Sequence, residues 1–169
     1  FELPPAPDGE HAGDVAEIME QRFSDDLRLN GLDGTWILSG EDTVRDLSGQ
    51  LRVCDLAILG QIDPDRPVRD QGGFQPEDVI LQSGRPGLVV PYIGGAATLG
   101  TRVLIGWDGS REASRALHDA LPLIEPAAAV TVLSIGSGDS AGSAALPSAD
   151  MVAAHLRRHG VEAKAEHTP

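Results

Sequence analysis

A chain that reads RVLIGWDGSREASRALHDALPLIEPAAAVTVLSIG from Arg102 to Gly136 has few ways to fold. Val103, Leu104 and Ile105 form a short apolar run, and Asp108-Gly109-Ser110 interrupts it. Ala113, Ala116, Leu117, Ala120 and Leu121 then recur at helical spacing before a second apolar run, Val130 to Ile135. The pattern predicts strand, turn, amphipathic helix and return strand. Strands apolar on both faces and joined through a helix belong in a parallel sheet covered by helices on both sides. Ligands of such sheets sit at the carboxyl ends of the strands, which is where Trp107, Asp108 and Ser110 fall.

The same alternation runs through the rest of the chain. Val15, Ile18, Met19, Phe23 and Leu27 share a helical stripe that stops at Asn30-Gly31, and Trp36 to Leu38 reads as a short strand. Asp42 or Thr43 caps a helix carrying Val44, Leu47 and Leu51, and a strand at Leu56 to Leu59 ends at Gly60. Gln61 to Gln71 holds enough Asp and Pro to be a loop. Pro76 suits the first turn of a helix through Val79, Ile80 and Leu81 that Gly84 closes, and Leu88 to Val90 is a further strand. IGGAATLGT, residues 93–101, has small residues and no charge and reads as a linker. Ala149 to His159 is a helix with Met151, Val152 and Leu156 on its apolar side, closed by Gly160 before a strand at Val161 to Ala165.

Charge and cysteine content exclude several classes of function. The net charge of −13 over 169 residues repels phosphate backbones and anionic lipid, which argues against nucleic-acid and membrane-surface partners. No apolar run is long enough to span a bilayer, and FELPPAPDGE lacks the basic and apolar regions of a signal peptide, so a cytoplasmic location is expected. The single cysteine, Cys54, excludes an internal disulfide and a thiolate metal cage, and its position before an apolar run reads as a small buried hydrophobe.

LNGLDGTW at 29–36 and RHGVEAKA at 158–165 align helix end, glycine and strand start. Gly31 and Gly160 stand about 130 residues apart, within the usual domain size of roughly 100 to 150. RVLIGWDGSREASRALHDALPLI followed by VTVLSIG resembles the opening of a universal stress protein domain, and DLAILGQ…PEDVILQSGRPGLVVPY is similar to the close of one. The resemblance runs from about Gly13 onward and suggests the tandem, two-domain form. It implies an α/β fold with a doubly wound, five-stranded parallel sheet in the order 3-2-1-4-5, of the universal stress protein/adenine nucleotide alpha hydrolase-like type. On that reading residues 1–92 are the C-terminal part of a first domain, 93–101 the linker and 102–169 the N-terminal part of a second. Two arrangements follow: a piece of a longer protein, or a composite in which the strand at Val103 to Ile105 docks beside that at Leu56 to Leu59.

In the ATP-binding class of that family, the Asp after the first strand belongs to the adenine and ribose pocket, which here is Asp108, with Gly109 and Ser110 beside it. A loop G-x2-G-x9-G-S/T wraps the phosphates, since glycines let backbone N–H groups approach phosphate oxygens and a hydroxyl completes the cradle. Gly60 and Gly73 occupy the first and third glycine positions, but Asp63 stands at the second and Phe74 at the hydroxyl. ATP binding in the first domain is therefore expected to fail, and the corresponding loop of the second would lie past Pro169. Helix capping alone also accounts for Asp108 and Ser110. A phosphotransferase of the haloacid dehalogenase type would need a carboxylate where Gly106 stands.

Remaining candidates read as structure. Gly95 to Arg102 imitates P-loop spacing without its lysine, and Asp63, Asp65 and Asp70 lie in a loop with Arg66 and Arg69. His155 and His159 share a helix face near a carboxyl end, with no third metal ligand evident in sequence, and read as a solvated last turn. The expectation is a non-enzymatic stress-response or regulatory factor, with an ATP-activating enzyme of the same architecture as the alternative. Its strand 88–90 would pair, as an exposed edge, with a second domain or a second subunit.

Overall fold

A computed structural model describes residues 12–39, 42–94, 98–136 and 146–168. The chain divides into two compact units, Phe1–Gly94 and Gly95–Pro169, and the division falls inside the segment read as a linker. Among the described residues, all strand pairs are parallel, and they make two sheets, one of two strands and one of three.

The first unit contains α1 (Ala12–Asn30), α2 (Thr43–Leu51), β1 (Ala57–Gly60), α3 (Pro76–Ser83) and β2 (Gly87–Val90), with a 3-10 turn at Val68–Gln71. Asp42 caps α2 by accepting the Arg45 N–H at 3.3 Å. Pro76 opens α3 where a missing N–H costs nothing, and Gly84 closes it in the left-handed region at φ 66°. Ala57 to Gly60 pair in register with Gly87 to Val90. Val79 is fully enclosed, and the buried Ser48 hydroxyl donates to its carbonyl at 3.4 Å, joining α2 to α3. A Cβ at Gly87 would lie 2.5 Å from Ile80, so only glycine lets β2 approach α3 this closely without displacing that side chain.

In the second unit, β3 (Arg102–Gly106), β4 (Ala129–Ile135) and β5 (Ala163–Thr168) lie side by side in chain order. The crossovers are α4 (Arg111–Asp119) with α5 (Leu121–Ile124), and α6 (Ala149–Arg158). Leu117, Ile124, Val152 and Leu156 share one core with Val130, Val132 and Ala163, against which Val103 and Ile105 pack. Every helix of this unit therefore contacts the same sheet face. By alternation Leu104 and Ile135 point to the other face, where they are 65% and 75% exposed.

The two helix ends aligned in the sequence close with the same hydrogen bonds. Gly31 and Gly160 adopt φ 64° and 80°. Leu32 N–H donates to Leu27 O at 2.9 Å and Gly31 N–H to Arg28 O at 3.4 Å; Val161 donates to Leu156 at 3.1 Å and Gly160 to Arg157 at 3.1 Å. Both are Schellman closures, related residue for residue by the offset between the two glycines.

Several expectations are corrected. Among the described residues, Val103 to Ile105 pair with β4 and Ala57 to Gly60 pair with β2, so the strands lie in sheets of three and of two. The described helices of the second unit pack on the sheet face that carries Val130 and Val132. Trp36 to Leu38 is not a strand; it has no ladder partner among the described residues, and Trp36 instead packs its ring 5.8 Å from that of Phe23. The helix after Ser110 breaks at Ala120, since Pro122 has no N–H to continue it. Met151 is exposed, and Ala149, Val152, Ala153 and Leu156 take the buried face. Val161 is buried but precedes the ladder, which starts at Ala163. Cys54 is half-buried, with its thiol 3.6 Å from the Gln50 carbonyl.

Candidate functional site

Trp107 extends the β3 ladder by one residue, its N–H donating to Leu133 O at 2.8 Å. Its ring is buried in the core, and the indole N–H donates to Pro147 O at 2.7 Å. One side chain thus ties the segment before α6 to the carboxyl end of β3. Beyond it the chain must turn sharply into α4. Asp108 Oδ1 accepts the Ser110 N–H at 2.9 Å, and Gly109 sits at φ 78°, where a Cβ would meet Leu146 at 3.1 Å. Ser110 caps α4, its hydroxyl accepting the Ala113 N–H at 3.0 Å.

The Ser110 side chain, then its backbone N–H, holds the Asp108 carboxyl below its ordinary value, against a weaker opposing effect of desolvation. Asp108 is consequently an anion at neutral pH. It borders a cleft of about 430 Å³ at the ends of β3 and β4. Trp107, Leu133 and Ile135 give the cleft an apolar lining, and Asp108, Ser110 and Glu112 its polar groups. Both charged groups are acidic. An apolar wall beside a fixed carboxylate accepts hydroxyl or amino donors from a flat, weakly polar ligand and disfavours an anion.

Asp108, Gly109 and Ser110 are thus brought together, whereas Gly60 and Gly73 belong to the other unit. Gly60 ends β1, and the following Gln61 N–H is taken by Val90 O at 2.8 Å. Gly73 has φ 77°, but its N–H donates to Val68 O at 3.0 Å. The Gln71 side chain accepts the Asp63 N–H at 2.8 Å and donates to Asp63 O at 2.9 Å and Arg66 O at 3.0 Å. Asp63 Oδ1 takes the Asp65 N–H at 2.9 Å. The backbone donors of Asp63, Asp65, Arg66, Gly72 and Gly73 are therefore engaged within the loop, and that of Gln61 by β2. Gln71, the centre of this network, carries no motif that sequence reading could have flagged. The side chain of Asp70 and residues 95–97 of the P-loop imitation lie outside the described residues.

His155 stands in the last turn of α6 but is half-buried rather than solvated. Its ring centroid lies 5.4 Å from that of His118 on α4 and 4.8 Å from that of His159, and its Nε2 is buried without a partner. The rings are tilted against one another by 51° and 60°. Among the described residues, no group of three or more His, Cys, Asp or Glu side chains is arranged to hold a metal ion, the three acidic loop positions included where described. Nor is any described helix long and apolar enough to cross a membrane.

Compared with known proteins, the chain matches no family model, no curated protein and no solved structure.

Proposed function

We propose that the chain is a non-enzymatic regulatory protein of the universal stress protein type, whose cleft beside Asp108 takes the nucleoside end of an adenine nucleotide. The observation that carries this reading is the cleft itself, about 430 Å³ at the carboxyl ends of two parallel strands with Asp108 at its edge. The Asp108 carboxylate accepts from ribose hydroxyls, and Leu133 and Ile135 offer apolar surface to a base. Asp108 and Glu112 oppose a triphosphate, and the Gly60 to Gly73 loop, closed on Gln71, supplies no phosphate cradle in the first unit. Ser110 is committed to capping α4, which supports a binding role over nucleophilic chemistry.

On the same reading, the two small sheets are parts of doubly wound sheets of order 3-2-1-4-5, and the edge at Leu88 to Val90 pairs with a second domain or a second copy. Val89 and Val90 are 40% and 45% exposed, as an edge awaiting such a partner would be. Calorimetric titration of the full chain with adenosine and with ATP-magnesium tests the site. Binding of adenosine, not improved by the triphosphate, supports the reading; turnover of ATP supports an ATP-activating enzyme instead.

A further inference from the structure

His118, His155 and His159 form a contact that neither capping, core packing nor the cleft beside Asp108 requires. His118 comes from α4, His155 from α6 and His159 from the cap that ends α6, so the contact joins two of the helices packed on the three-stranded sheet. His118 Nδ1 lies 2.7 Å from Ser114 O, a pure acceptor, which fixes its proton on Nδ1. His155 Nδ1 lies 3.3 Å from the Arg158 guanidinium, a pure donor, which fixes the His155 proton on Nε2. That Nε2 is buried with no acceptor. A second proton on His155 would have to enter at Nδ1, facing the Arg158 cation.

We propose that these three imidazoles form a proton-released latch, holding the C-terminal half of α4 on α6 when neutral and letting it go in mild acid. The groups facing His155 from its own helix are His159 and Arg158, and from α4 His118. On α4, Asp119 directly follows His118 and is engaged by Arg115, one turn earlier, at 3.5 Å. Arg157 is turned to Ala163 O at 2.8 Å. Among the described residues, none of the three histidines has a carboxylate within ion-pair distance. Protonation therefore gathers like charges with no anion to offset them.

Burial, then His159, Arg158 and His118, all lower the affinity of His155 for a proton. The unfolded chain consequently takes this proton first as pH falls through the ordinary histidine range. Stability from the latch is complete above that range and declines below it, until the folded state also protonates.

Hydrogen exchange on the full chain between about pH 7.5 and about pH 5, corrected for intrinsic rates, tests the latch across the histidine range. The amides of α4 from Ala113 to Ala120 are expected to open several-fold more at the acid end. Amides of α3 should not follow. His155→Phe, which keeps a ring and removes the titration, should retain α4 protection in acid. Where that variant does not fold, the imidazole NMR titration of the unaltered chain decides, with His155 expected below the ordinary histidine value. Equal α4 protection at both pH values, acid opening that persists in His155→Phe, or His155 titrating at or above the ordinary histidine value would overturn the latch.

Discussion

The indole N–H of Trp107 donates to the carbonyl of Pro147 at 2.7 Å, across forty positions of sequence. It is the single side-chain hydrogen bond described between the turn that carries Asp108 and the segment leading into α6. Replacing Trp107 by Phe keeps an aromatic ring in the core and deletes this donor. The second unit should lose about 1 kcal/mol, the typical worth of one such bond, read as a lower urea midpoint with unchanged slope. An unchanged midpoint would show that the bond adds nothing.

Ser110 serves two neighbours, capping α4 and holding the Asp108 carboxyl low. Ser110→Ala should therefore cost about 1 kcal/mol as a lost cap and return the Asp108 titration upward toward its ordinary value. The sign follows from linkage. A depressed carboxyl contributes stability present above its unfolded value and lost as pH falls through its folded one, so the contribution of Asp108 is present at neutral pH and disappears only in acid below the usual Asp range. Carboxyl NMR titration of both proteins measures it, and identical Asp108 curves would contradict the assigned cause.

Gly31 and Gly160 close their helices with the same pair of hydrogen bonds and both lie in the left-handed region. Alanine at either position should cost about 1 kcal/mol, and the two costs should match, since neither site has an atom within 4 Å of an added Cβ. Equilibrium unfolding of each variant, followed by probes in its own unit, reads the two values. A large inequality would mean that the two closures are not energetically equivalent.

Local signals were the readable ones. Asp42, Pro76, Gly84, Ser110 and Gly160 each act within one helical turn, so residue type and spacing suffice to place them. Pairing is different, because apolar alternation says that a strand exists but not what lies beside it. Trp36 to Leu38 has strand composition and no ladder partner, and Leu104 has a core residue's chemistry on a face that no described helix covers. Met151 misled because hydrophobicity outweighed position; the spacing of Ala149, Val152, Ala153 and Leu156 marks the buried stripe through two small alanines. At the candidate site, Trp107, Asp108 and Ser110 were legible from the strand-turn-helix pattern. Leu133, Ile135 and Pro147 were not, since only the fold brings β4 and the segment before α6 to the same end of the sheet. His118 was missed beside His155 for the same reason.

The most direct test of the Asp108 cleft is an amide NMR titration of the full chain with adenosine and, separately, with ATP-magnesium. Shifts should fall on Trp107 to Ala113 and Leu133 to Gly136, saturate with adenosine, weaken in Asp108→Asn, and gain nothing from the triphosphate. Shifts confined to Gly60 to Gly73, or tighter binding with each added phosphate, would contradict it.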